Sequence, residues 1–250
     1  MADPLLATEN LVKRFGGVTA TDHLSLAIAE GELHAVIGPN GAGKTTLVAQ
    51  LAGEIAPSAG RIRFADEDVT TLGMAARSQR GLARSFQVAA LCREFSALDN
   101  VALAVQAHSG HSFRFWRAAR ADSTLREPAR AILAETGLAG REDVPAGRLA
   151  HGEQRQLELA IALATRPRLL LLDEPMAGMG QADAAIMIAL LQRLKRRHTI
   201  LLVEHDMDAV FALADRISVL VYGRLIASDA PAAIRADATV SEAYLGEEAL

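Results

Sequence analysis

The sequence predicts an α/β fold, with a parallel sheet interrupted by a mostly helical insertion. Three observations predict it. Two short unbroken apolar runs, "RLLLLDEP" and "HTILLVEHD", have the length and continuity of strands buried on both faces. Between them, "ADAAIMIALLQRLKRR" carries apolar residues at helical spacing, and strand, helix, strand in that order is a βαβ unit. A third strand-like run, "LHAVI", leads into a glycine-rich loop that opens a helix.

Each element follows from local chemistry. The first segment alternates short β-like runs with turns. "HLSLAIAEGELHAVIG" reads as two strands joined at Glu30-Gly31, and "GRIRFADEDV" as one further strand. "GKTTLVAQLAG" is a helix that stops at Gly53. From Leu91 to about Thr165 helical runs such as "EPARAILAETGL" dominate, broken by the polar stretch "HSGHSFRFWRAARADS". Strands then return, and "RISVLVYGRLIASD" reads as a hairpin around Tyr222-Gly223.

Composition excludes several classes. Half of the 250 residues are hydrophobic, enough for a substantial core. A net charge of -4 and 4% aromatic residues supply neither a basic field nor a stacking platform, so no nucleic-acid partner is expected. The single cysteine, Cys92, excludes an internal disulfide and fits a reducing compartment. No secretory signal opens the chain, and no apolar run approaches the roughly 18 residues of a spanning helix. A soluble cytosolic protein is expected, able to reach a membrane by docking to a partner.

The strongest chemical motif is "GPNGAGKTT", Gly38, Pro39, Asn40, Gly41, Ala42, Gly43, Lys44, Thr45 and Thr46. It fits G-x-x-x-x-G-K-[ST] between a strand and a helix. Gly41 and Gly43 let successive N–H groups face one point at a helix N-terminus, which favours an anion. Lys44 can reach β- and γ-phosphates, and the Thr45 hydroxyl can ligate Mg²⁺. "LLLLDEP" ends a buried strand in two acids. Alone they would read as a surface pair; after a phosphate loop, Asp173 is placed to hold Mg²⁺ through water and Glu174 to orient or deprotonate the attacking water. His205, ending "TILLVEH", is placed to donate a hydrogen bond to a γ-phosphate, or else is a solvated histidine. Gln87, in "GLARSFQ", could ligate Mg²⁺ and report to the helical insertion, although such a glutamine is unremarkable by itself.

Together these residues resemble the ATP-binding subunit of ABC transporters over nearly the whole chain. By that resemblance "GPNGAGKT" is the Walker A motif, Gln87 the Q-loop glutamine, "LLLLDE" the Walker B motif and His205 the H-loop histidine. Phe15 falls where the family stacks an aromatic on adenine. Leu149, Ala150, His151, Gly152 and Glu153 fall on the signature LSGGQ, which contacts ATP held by the opposite subunit. The resemblance implies a P-loop NTPase with a RecA-like core sheet, an antiparallel β subdomain and an inserted helical subdomain. It implies one domain over 1–250, with the core and β subdomain in 1–87 and 166–250 and the helical subdomain in 88–165. ATP and Mg²⁺ are the implied cofactors. Catalysis would fall to Glu174, His205 and Lys44, ATP binding to Phe15, residues 38–46 and Gln87, and Mg²⁺ to Thr45, Gln87 and Asp173.

"RFGGVTA", "HGEQRQLELA", "DEPMAGM", "LLVEHDM" and "AYLGEE" are more similar to the branched-chain amino acid importer branch, and to the longer of its two ATPases, with 108–122 as its polar insert. Implied partners are a second ATPase subunit, two integral membrane permease subunits and, indirectly, a solute-binding protein, on the cytoplasmic face of the membrane. Two departures stand out: Ala150 replaces the signature serine, and Gly180 stands where many members carry Asp. His108 and His111 form H-x-x-H without a further ligand, which reads as a solvated loop. "FRFWRAAR" reads as a folded-back cap or as a contact to lipid headgroups, a partner or nucleic acid. Competing readings are a soluble ABC ATPase of an iron–sulfur assembly complex and a lipopolysaccharide-export ATPase. A DNA-repair ATPase is disfavoured, because only about sixty residues without sustained heptads separate Gln87 from the signature.

Overall fold

The computed structural model describes residues 3–85, 91–109 and 122–245. Two sheets organise them. In the antiparallel sheet, β1 (Leu6–Phe15) pairs with β2 (Val18–Leu24), β3 (Ala27–Ile28) and β5 (Ala59–Phe64), and β5 carries β6 (Glu67–Asp68). The second sheet contains β4 (Leu33–Ile37), β7 (Leu82–Arg84), β8 (Leu169–Asp173), β9 (Thr199–Val203), β10 (Arg216–Val221) and β11 (Arg224–Asp229). Its order is β11-β10-β4-β9-β8-β7, parallel throughout except for β11, which returns antiparallel to β10.

Every residue of β4, β8 and β9 is buried, which explains the unbroken apolar runs. Period-two alternation splits them between two cores. Leu169 and Leu171 of β8 face α1 (Lys44–Ala52) and the antiparallel sheet, where Leu47, Leu51, Ile28 and Phe64 join them. Leu170 and Leu172 face Met187, Leu190 and Leu191 of α6 (Gln181–Leu194) on the other side. Beside them, Ala35 and Ile37 pack with Val210 of α7 (Met207–Leu213) and Ile234 of α8 (Pro231–Ala236).

The remaining core is helical. α3 (Ala97–His108) and α4 (Ser123–Glu135) pack on α5 (His151–Ala164) through Val101, Leu133, Leu157 and Ala160. The opposite face of α5 gives Leu159, Ala162 and Leu163 to the sheet core, so α5 is shared by both. α2 (Met74–Gln79) and α9 (Ala238–Leu245) complete the helices described.

Tyr222-Gly223 turns the β10–β11 hairpin as expected, with φ of 47° and 78°. One expectation needs correction. "GRIRFADEDV" is not one strand but the hairpin β5–β6, turned at Ala65-Asp66 with φ of 49° and 66°. The two strands joined across Glu30-Gly31 are present and belong to different sheets, β3 to the antiparallel one and β4 to the parallel one. Gln87, His111 and "FRFWRAAR" lie outside the described residues. His108 ends α3 with Nε2 3.2 Å from the Ser78 carbonyl, and no cluster of metal ligands exists among the described residues.

Candidate functional site

In parallel sheets side chains emerge from the carboxyl ends of the strands. Here β4, β9 and β8 are adjacent, at about 4.8 Å per strand. They therefore bring the glycine-rich loop, His205 and the Asp173-Glu174 pair to one edge, roughly 10 Å across.

The loop leaves β4 at Gly38 and enters α1 at Lys44. Gly43 has φ of 102°, and a Cβ there would strike the Ala20 carbonyl of β2; one on Gly38 would strike the Leu220 carbonyl of β10. The Gly223 N–H donates to the Ala42 carbonyl at 2.9 Å, which pins the loop from β11's side. Lys44 Nζ lies along the loop, donating to Gly38 O at 2.5 Å and Pro39 O at 3.0 Å. Asn40, Gly41 and Thr45 are exposed, Pro39 and Thr46 half-buried and Ala42 buried. β2 touches this loop at Ala20, and Phe15 lies on the same hairpin, opposite Val18, exposed (51%) and with Lys13 Nζ 5.1 Å from its ring centroid.

Asp173 ends β8 with its side chain wholly buried. Oδ2 accepts from Arg84 at 2.9 Å, while Oδ1 has no partner among the described residues. Burial pushes its carboxyl above the ordinary range, and Arg84 opposes that shift. Glu174, half-buried, turns the chain with φ of 50°, a conformation that non-glycine residues adopt at a cost of about 1–3 kcal/mol. Its N–H is held by the Val203 carbonyl at 2.9 Å. His205 is exposed, at the end of β9.

The residues 149–153 lie at the start of α5. This helix precedes β8 and runs against it, so its N-terminus lies at the strands' carboxyl end. Leu149 is buried and anchors the turn. Ala150 is the N-cap, with φ −61° and ψ 160°, and offers no side-chain acceptor. Glu153 reaches back with Oε2 2.9 Å from the Ala150 N–H and Oε1 2.7 Å from Arg141, so its carboxylate serves the helix start. A Cβ on Gly152 would press on the Asp183 carboxylate of α6, so a larger residue there would push that side chain aside. His151 is exposed, and its Nε2 stands 3.5 Å from the Ala177 carbonyl.

Four residues escaped the sequence reading. Arg84 joins Asp173 to Glu54, which follows α1, at 2.6 Å. Arg77, 1% exposed, donates to the carbonyls of Gln50, Leu51, Thr70 and Leu72 and caps the far end of α1. Burial draws its guanidinium down to about 10, so it stays charged at neutral pH. Glu204, 1% exposed, accepts from the Met176 N–H at 3.0 Å and the His205 N–H at 3.2 Å. It ties the turn after Glu174 to the histidine. "VEHD" alone signals a strand end, not a buried carboxylate.

This donor set fits a polyphosphate with a divalent cation. The loop admits no side chain at Gly43, the Thr45 hydroxyl opens α1, and the orphaned Asp173 Oδ1 is an acceptor without a donor.

Comparison with known proteins agrees. The "ABC transporter" family model matches residues 21–177, and the "Branched-chain amino acid ATP-binding cassette transporter" model matches residues 224–249. The high-affinity branched-chain amino acid transport ATP-binding protein BraF of Pseudomonas aeruginosa is 37% identical over 254 residues, covering 99% of this chain and 100% of that protein. The lipopolysaccharide export system ATP-binding protein LptB of Escherichia coli K12 is 31% identical, covering 97% and 98%. Among solved structures, the ADP conformation of MJ1267, an ATP-binding cassette of an ABC transporter, superposes with a TM-score of 0.87 at 29% identity, covering 98% and 100%. With the P-loop, the paired acids and the histidine on adjacent strands of a cassette fold, the chain belongs to the ABC transporter family, as an ATP-binding subunit with ATPase activity.

Proposed function

We propose that the chain energises an importer for branched-chain amino acids or a related small solute. Its C-terminal match to the branched-chain model and the higher identity to BraF than to LptB favour this over lipopolysaccharide export. The same matches leave the iron–sulfur assembly reading without support. The reading places the chain on the cytoplasmic face of the membrane, with a second ATPase subunit, two permease subunits and an external solute-binding protein. No helix among the described residues is long and apolar enough to cross a membrane, and in this reading the permease subunits hold the chain at the membrane. It assigns 88–165 to a helical subdomain and 1–87 with 166–250 to the nucleotide-binding core and β subdomain.

One observation carries the mechanism: the ends of β4, β9 and β8 set the loop, His205 and Glu174 side by side. Bound Mg²⁺–ATP supplies the phosphoanhydride whose terminal phosphoryl goes to water. Residues 40–46 cradle phosphate oxygens with N–H groups, and Lys44 Nζ adds a positive charge. Thr45, Asp173 and Gln87 would hold the metal directly or through water. The Glu174 carboxylate orients the water and takes its proton, its strained backbone fixed by Val203. The His205 imidazole donates to the terminal phosphate, backed by Glu204. Phe15 stacks on the base. Residues 149–153 present backbone N–H groups and a helix N-terminus to nucleotide on the other subunit.

The test is Glu174→Gln in the assembled transporter with the partner's site silenced. ATP binding is expected within about twofold of wild type and hydrolysis lowered about 100-fold or more, the size of a lost general base. Hydrolysis at the wild-type rate would remove Glu174 from this role.

A further inference from the structure

Three side chains from separate parts of the chain meet behind the edge that carries Asp173. Arg84 ends β7, the outermost parallel strand, with its side chain 7% exposed. One arm of the guanidinium reaches Glu54 Oε2 at 2.6 Å and the other reaches Asp173 Oδ2 at 2.9 Å. Two carboxylates share this one guanidinium, with Asp173 and Arg84 buried and Glu54 partly exposed, and burial strengthens the attraction between the Asp173 carboxylate and a cation in front of it. Oδ2 is taken by Arg84, and Oδ1 is buried without a partner among the described residues.

We propose that Arg84 is a positioning residue for the divalent cation: its fork fixes the Asp173 carboxylate through Oδ2, anchored on Glu54, and turns Oδ1 toward the metal. The inference rests on the reading of Asp173 as a metal-holding carboxylate given above. Partners of this kind, behind the atoms that face a metal, change its affinity by about 10–100-fold when removed. The fork matters as well as the charge. An ammonium is a point charge on a flexible stem and cannot hold both carboxylates in one plane. Glu54 follows the far end of the P-loop helix, so the same guanidinium also sets the strand bearing Asp173 against that helix.

The experiment uses the full-length chain loaded with ATP and titrates Mn²⁺ by electron paramagnetic resonance. ATP affinity in EDTA and thermal unfolding are measured alongside. Arg84→Lys is expected to weaken Mn²⁺ binding about tenfold or more while ATP affinity without metal stays within about twofold. Glu54→Gln, at a partly exposed site, loosens the anchor and is expected to weaken Mn²⁺ about threefold. It keeps the test open if Arg84 variants fail to fold. Asp173→Asn separates the two levels. If it lowers Mn²⁺ affinity while Arg84→Lys and Glu54→Gln do not, the positioning role of Arg84 is overturned and the reading of Asp173 stands. If Asp173→Asn keeps wild-type Mn²⁺ affinity, the reading of Asp173 falls and the positioning role falls with it.

Discussion

Replacing Ala150 by serine should stabilise the protein before any nucleotide is involved. Ala150 has the extended backbone of an N-cap, and Glu153 already accepts from its N–H at 2.9 Å. Half of a capping box is therefore built; the missing half is a side-chain oxygen for the N–H of Glu153. A serine at an N-cap contributes about 1 kcal/mol over alanine. For a chain of this size that raises Tm by about 2–4 °C. Thermal or urea unfolding of the nucleotide-free chain measures it, and unchanged or lowered stability would refute the half-built cap. The same hydroxyl has a second use. It can accept from the Glu153 N–H and donate its own proton to a phosphate oxygen on the opposite subunit. A hydrogen bond to a charged group contributes about 1.5–3 kcal/mol. Closure of the assembled pair should thus tighten roughly ten- to a hundred-fold, seen as faster ATP turnover at limiting ATP. A variant that is more stable yet no faster would show that backbone N–H groups suffice at this loop.

Gly43→Ala places a Cβ against the Ala20 carbonyl at a φ of 102°; a stability loss of about 2 kcal/mol and at least tenfold weaker binding of a fluorescent ATP analogue are expected, and wild-type binding would contradict the cradle. Arg77→Met removes four donated hydrogen bonds and leaves the carbonyls of Gln50 and Leu51 facing an apolar side chain; urea unfolding should show a loss of about 3 kcal/mol or more, and a loss below 1 kcal/mol would mean water replaces the guanidinium. Burial raises Glu204 above its ordinary 4.5, so its contribution relative to glutamine is fully present below that value and is lost as pH rises through the raised pKa. The stability difference between wild type and Glu204→Gln should therefore fall as pH rises above 4.5, and a flat difference would refute the burial argument.

What could be read beforehand was local. β8 and β9 announce themselves because burial on both faces leaves no polar residue inside the run, and the glycine loop because its spacing and flanks are fixed by phosphate geometry. Glu54, Arg84 and Asp173 were not legible as a group, since nothing local tells Arg84 that its fork spans two carboxylates from different elements. Arg77 in "MAARSQ" looks like a solvated helix residue, and its burial depends on α1 ending where it does. The sheet that β3 joins is illegible for a related reason: two residues long, it pairs with β1 and not with its sequence neighbour β4. Glu153, expected at the signature with its neighbours, proves to have its carboxylate committed to Ala150 and Arg141.

The double allegiance of α5 bears on how the family's parts can be recombined. Leu157, Ala160 and Ala164 belong with α3 and α4, whereas Leu159, Ala162 and Leu163 wall the sheet. A chimera cut at 88 and 165 would graft a stranger's helix face onto the native strand β7 and helix α6. Its junction would need those three sheet-facing positions restored to this chain's residues, so the transplantable unit ends partway around a helix and not at a point along the chain.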